Sequence, residues 1–144
     1  MSKSSPDATR QILAALSALT RRLARASGGP DEGPAMTATQ RLAMFEAALS
    51  GPLRLSALAD RLGISAPTAS RAVDGLVDLG LMERRPDPDD RRAVQIDLTR
   101  PGRKRVEEKQ ALAASALEPA VGALSAQERE QLAALLTRLS DGMG

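Results

Sequence analysis

Between residues 55 and 99 the hydrophobic period changes once, from helical to alternating, and a glycine or a capping residue stands at each break. Few folds satisfy that order. In "LSALADRL", Leu58 and Leu62 lie one helical turn apart, and Ser56 is placed to cap the short helix. Gly63 fits the left-handed residue that ends it. Ser65 then caps a second helix with Pro67 in its first turn, where a missing N–H costs nothing. Along this helix Ala69, Val73, Leu76 and Val77 make an apolar stripe, with Ser70, Arg71, Asp74 and Asp78 on the other face. Gly80 ends it. Two helices separated by three or four residues around a glycine form a helix-turn-helix.

After Gly80 the period is two. "LMERR" and "AVQIDL" flank a loop rich in Pro and Asp, and Val94, Ile96 and Leu98 alternate with Gln95 and Asp97. A helix-turn-helix followed by a β-hairpin is a winged helix, and "RRPDPDDRR" is the tip of its wing. The preceding "LRL" is too short for an independent strand and fits only as an edge strand.

The flanks are helical. From residue 6 to 26, Ile12, Leu16, Leu19 and Leu23 recur at helical spacing, followed by a Gly- and Pro-rich linker at 27–34. "TATQRLAMFEAAL" opens with Thr37 as N-cap and Gln40 three residues on, a capping-box pattern, and stops at Ser50-Gly51-Pro52. A long helix follows Thr99, with Pro101 in its first turn; Pro119 and Gly122 are expected to kink or interrupt it. "SAQE" at 125–128 is a second capping box and opens a last helix carrying Leu132, Leu135, Leu136 and Leu139. The winged-helix segment has its own core, so the apolar stripes at both ends need a partner. A second copy related by a two-fold axis is the economical one.

Composition narrows the chemistry. The chain has 144 residues, 42% apolar and 26% charged, which suits one globular domain. Cysteine and histidine are both absent. Disulfides, thiolate or imidazole metal sites, thiol redox sensing and a histidine general base are thereby excluded, and the expectation is no enzyme, no metal and no cofactor. No apolar run reaches 18 residues, and the N-terminus carries polar and acidic residues where a secretory signal is apolar, so a cytoplasmic protein without membrane association is expected. Net charge is only +2 despite an isoelectric point near 9.7. Its distribution matters more: residues 1–105 hold 17 basic and 12 acidic side chains, residues 106–144 hold 3 and 6. Of the basic residues 17 are Arg and 3 are Lys, and arginine's planar fork suits phosphates and base edges.

The helix-two "TATQ", the "LADRLGISAPTASRAVDGL" helix-turn-helix and the wing "PDPDDRRAVQIDLTRPG" together resemble the MarR family of bacterial winged-helix regulators, over about residues 10 to 140. The resemblance implies a mainly α (α+β) fold: a winged helix-turn-helix lobe with a two-stranded β-hairpin wing, plus N- and C-terminal helices that form a dimerisation region. Residues 1–144 then make a single MarR-like domain, with the DNA-binding lobe at 37–105 and the dimerisation region at 7–26 and 106–140. The function it implies is a sequence-specific, DNA-binding transcriptional regulator, with repression the expected direction. It would bind a palindromic operator in double-stranded DNA as a homodimer, with a small-molecule inducer as a candidate partner. The alternative is a winged-helix protein-interaction module or a ligand-independent DNA-binding protein.

Roles follow for particular residues. A recognition helix lies in the major groove with its N-terminal residues nearest the bases, which brings Ser65, Pro67, Thr68, Ser70 and Arg71 to the DNA. Arg71 can bond guanine O6 and N7 with both prongs, whereas Ser65, Thr68 and Ser70 suit phosphates or base edges. Arg84 and Arg85 stand on the first wing strand as backbone contacts. By the resemblance Arg92 enters the minor groove, and Arg91 meets phosphate or a wing acid. Acids repel phosphate, so Asp89 and Asp90 are assigned to shaping the wing, Asp90 by pairing with an arginine. Gly75 interrupts the recognition helix at about 1 kcal/mol relative to Ala. Close packing, an approach to DNA and simple weakening of the helix all remain open for it.

Overall fold

A computed structural model of the chain describes residues 6–28 and 34–143. The element order is α1 (Pro6–Ser27), α2 (Ala38–Ser50), β1 (Leu53–Arg54), α3 (Leu55–Leu62), α4 (Ala66–Asp78), β2 (Met82–Pro86), β3 (Val94–Leu98), α5 (Arg100–Gly122) and α6 (Ala126–Asp141). Most of the linker expected at 27–34 lies outside the described residues. Two compact units divide the chain: residues 30–110 form one, and 1–29 with 111–144 form the other.

In the first unit the three strands make one antiparallel sheet, ordered β1-β3-β2. Leu53 pairs with Ile96, and Met82 to Pro86 run against Leu98 to Val94. Ala43, Met44 and Ala47 of α2, Leu53, Leu58 of α3, Val73 and Leu76 of α4, Leu81, Met82, Ile96 and Leu98 form the buried cluster. Every member is aliphatic or Met, as the composition requires.

Local capping chemistry sets the helix ends. Thr37 and Gln40 make the expected reciprocal capping box on α2. Gly63 is left-handed, with φ 63°, and closes α3. Gly80 does the same beyond α4: its N–H reaches Val77 and the N–H of Leu81 reaches Leu76, a Schellman closure. Thr99 then holds the start of α5 against that closure. Its N–H donates to the Leu81 carbonyl at 3.1 Å, and its hydroxyl donates to the Gly80 carbonyl at 2.6 Å and accepts from Gly102 N at 3.2 Å.

Two expectations are corrected, for Ser56 and Pro119. Ser56 does not cap α3; β1 runs directly into that helix, with Arg54 as the cap residue and no side-chain cap bond. The pairing of β1 with β3 sets the helix start instead. Asp97, although in an alternating strand, is 4% exposed and packed with arginines from β2 and α5. Pro119 does not interrupt α5, which continues to Gly122. Pro119 begins the last turn, where it removes a single backbone donor near a helix end.

In the second unit α1 and α6 bury none of their residues. Leu13 is 63% and Leu135 58% exposed, and Ile12, Leu19, Leu132, Leu136 and Leu139 are exposed with them. Ser125 and Glu128 form the expected capping box on α6. Among the described residues no helix is long and apolar enough to cross a membrane.

Candidate nucleic-acid interface

The N-terminal half of α4 carries five of the expected site residues on consecutive turns. Ser65 caps the helix: its Oγ accepts from Thr68 N at 3.3 Å and lies 2.8 Å from Thr68 Oγ1. Both hydroxyls therefore hold the helix end in shape and keep part of their bonding capacity outward. Pro67 is exposed in the first turn, and Ser70 is half-buried. Arg71 is exposed beside Thr37, Thr39, Gln40, Thr68 and Ala72, which line one open hollow. The sequence marks Thr37 as a helix cap and Thr39 only as part of "TATQ", and assigns neither to the interface. They join the recognition helix only because α2 packs on α4, a contact that no local pattern reveals.

Arg71 has no ion pair among the described residues. The acid one turn further on, Asp74, pairs instead with Arg84 of β2. That pair ties the first wing strand to the recognition helix and compensates Arg84. Arg85 is compensated too, by Glu83 and by Asp97 at 3.4 Å. Arg103 reaches the other oxygen of Asp97 at 3.6 Å. The two arginines of β2 are thus engaged by acids of their own lobe.

The wing tip behaves differently. Arg91 and Arg92 are exposed, and among the described residues neither guanidinium makes a hydrogen bond or ion pair. Asp90 Oδ1 accepts the backbone N–H of Arg92 at 3.0 Å, so it bonds a backbone amide where an arginine side chain was expected. Asp89 contributes its own N–H, donated to Asp87 Oδ1 at 2.8 Å. The acid that organises the loop is Asp87, its first residue, 4% exposed, which also accepts from Asp90 N at 3.3 Å and pairs with Arg54 at 2.7 Å. The Arg54 hydrogen bond, then the Asp89 amide, hold its carboxyl below the usual range. Asp87 and Arg54 were missed from the sequence, where 33 residues separate them.

The arrangement suits binding to a polyanion. Among the described residues unpaired guanidinium groups stand on α4 and at the wing tip, and the neighbouring acids Asp74, Glu83, Asp87, Asp90 and Asp97 bond backbone amides or other arginines. Comparison with known proteins agrees. The MarR family model matches residues 36–94. The HTH-type transcriptional regulator YhbI of Bacillus subtilis (strain 168) is 34% identical over 110 residues, 74% of this chain and 71% of that protein. The crystal structure of RV1404 from Mycobacterium tuberculosis superposes with a TM-score of 0.78 at 28% identity, covering 100% of this chain and 98% of that one. A mutant MarR from E. coli, complexed with operator DNA, shares the fold with a TM-score of 0.66 at 24% identity, covering 93% and 94% of the two chains. The chain belongs to the MarR family.

Proposed function

We propose that the protein regulates transcription as a homodimer bound to a two-fold symmetric operator, with repression as its usual effect. The observation that carries this reading is the division among its arginines. Arg71, Arg91 and Arg92 are left without acids where a recognition helix and a wing would meet DNA, while Arg84 and Arg85 are partly neutralised. Arg71 reads a base edge, Ser65, Thr68 and Ser70 beside Pro67 contact phosphates or bases, and Arg92 enters the minor groove with Arg91 on the backbone. Arg84 and Arg85 contribute weaker phosphate contacts, Asp90 shapes the wing through its carboxylate, and Asp89 does so through its backbone N–H.

The dimer follows from α1 and α6, whose exposed leucines have no cover within their own unit. Two copies must hold their recognition helices about 34 Å apart to enter successive major grooves. The terminal helices, with 7–26 and 106–140 as the dimerisation region, set that spacing, and 37–105 is the lobe that reads DNA. Its work is binding rather than catalysis, and a DNA partner places the protein in the cytoplasm. An inducer acts by preferring one lobe spacing, and its effect is bounded by its differential affinity. It is apolar or anionic, since neither thiol nor imidazole exists to sense peroxide or zinc.

The test uses a duplex enriched from a random pool by the wild-type protein. Arg71→Ala should weaken binding by on the order of 1–3 kcal/mol and relax preference at one base pair of each half-site. Equal losses on the enriched and on random duplexes would remove Arg71 as a base reader.

A further inference from the structure

The wing tip is joined to the helix-turn-helix by an ion pair that no local sequence signal marks. Arg54 ends β1 and caps α3; Asp87 opens the wing loop. Arg54 Nε donates to Asp87 Oδ2 at 2.7 Å, while Oδ1 gathers the amides of Asp89 and Asp90. Asp87 N donates to the Ala93 carbonyl at 3.1 Å, and Ala93 N donates to the Asp90 carbonyl at 3.0 Å, closing the loop. One nearly buried carboxylate thus does two jobs. One oxygen folds the loop carrying Arg91 and Arg92, and the other fastens that loop to β1. Asp90 and Asp89 add longer-range attraction for the same guanidinium.

We propose that Arg54 and Asp87 are positioning residues for DNA recognition: the pair sets where the wing tip stands, and so where Arg92 meets the minor groove. This rests on the wing role given under Proposed function. Without Arg54 the amides of Asp89 and Asp90 still fold the loop locally, but among the described residues no other side-chain bond fastens the loop itself, as distinct from its strands, to the helix-turn-helix. Arg92 then samples more positions than one groove accepts, and ordering it on DNA lowers affinity. Arg54 itself is half exposed, so a direct phosphate contact is the competing role.

A double-mutant cycle on the full-length protein separates the two, with fluorescence anisotropy on the enriched duplex as readout. Arg54→Gln should weaken binding roughly ten-fold in the wild-type background and less than about two-fold when Arg92→Ala is already present. Asp87→Asn should behave like Arg54→Gln. Arg54→Lys, whose ammonium can still meet Asp87 Oδ2, should recover most of the loss. A loss from Arg54→Gln that is equal in both backgrounds, or absent in both, overturns the proposal in favour of a phosphate contact or a passive surface pair. Arg92→Ala alone leaving affinity unchanged would refute the wing's role itself, and the proposal with it.

Discussion

Two glycines lie inside helices of the unit formed by residues 30–110, and the structure gives them opposite consequences. At Gly102, in the first turn of α5, an added Cβ would lie 2.0 Å from the Leu81 carbonyl oxygen and 2.9 Å from its carbon. Both are backbone atoms, and that oxygen accepts the N–H of Thr99 at 3.1 Å. Gly102→Ala must therefore push α5 and the closure of α4 apart by about 1 Å, an overpacking expected to cost about 1–3 kcal/mol. Loss of the Thr99 bond adds about 1 kcal/mol, and better helix propensity returns at most about 1. The net expectation is destabilisation by about 2 kcal/mol. At Gly75, in α4, an added Cβ meets only the Gln40 side chain, its amide nitrogen at 2.4 Å. That tip can swing away, giving up its bond to Thr37 N, which offsets much of the propensity gain. Gly75→Ala should change stability by less than about 1 kcal/mol. Urea denaturation followed by circular dichroism, at one fixed protein concentration because dimers unfold in a concentration-dependent way, compares the two. A Gly102→Ala protein as stable as wild type, or equal midpoint shifts for both variants, would refute the reasoning. For Gly75, close packing against Gln40 is the favoured reading of the three left open.

Two further outcomes are expected. Light scattering should give about twice the 15.1 kDa chain mass, and Leu135→Glu on the exposed face of α6 should shift the protein toward monomer; a monomer that still binds the enriched duplex tightly would contradict the two-lobe arrangement. The carboxyls of Asp87, Glu46 and Glu128 are lowered, chiefly by hydrogen bonds from Arg54, Arg61 and the Ser125 amide respectively, so their stabilisation is complete above the usual carboxylate range near 4 and is lost as pH falls through the depressed values. With no histidine or cysteine to titrate, the urea midpoint should stay flat from about pH 5.5 to 8, and a step near pH 6.5 would contradict that.

What the sequence made legible is local. Thr37 with Gln40, Ser65, Gly63, Gly80 and Ser125 with Glu128 act on neighbours within one turn, and each helix end they mark lies where the residues place it. The change of period after Gly80 gave the wing for the same reason. What the sequence hid depends on partners far along the chain. Asp97 sits in an alternating strand, yet Arg85 and Arg103 approach from another strand and a helix, and a buried carboxylate becomes tolerable once it is paired. Asp87 looks like any turn residue until β1 brings Arg54 to it. The pairing of Arg84 with Asp74 needs the packing of β2 on α4 to be known first.

The remaining puzzle is why a wing proposed to meet a polyanion carries so many acids, and one of them makes a sharp prediction. Glu83 and Asp97 engage Arg85, Asp87 engages Arg54, and Asp90 accepts the Arg92 amide. Those carboxylates are engaged within the lobe, Asp87 and Asp97 buried there, and give the hairpin its shape. Asp89 is the exception: its N–H bonds Asp87, but among the described residues its carboxylate makes no hydrogen bond or ion pair. Its charge stands exposed in the loop that presents Arg91 and Arg92, where it repels phosphate. Asp89→Asn keeps the backbone bond and removes that repulsion, together with a weak long-range attraction for Arg54. Affinity should rise by roughly two- to five-fold at low salt for enriched and random duplexes alike, and the gain should fade by about 0.5 M salt as screening shortens the charge's reach. Asp90→Asn, in contrast, weakens the acceptor that turns the loop at Arg92 and should lower affinity on the enriched duplex at every salt concentration. If Asp89→Asn weakens binding as Asp90→Asn does, Asp89 shapes the wing through its side chain after all, and its charge is structural. If it strengthens binding equally on both duplexes, the acid limits attachment to non-operator DNA, which is where a regulator with unpaired arginines most needs a limit.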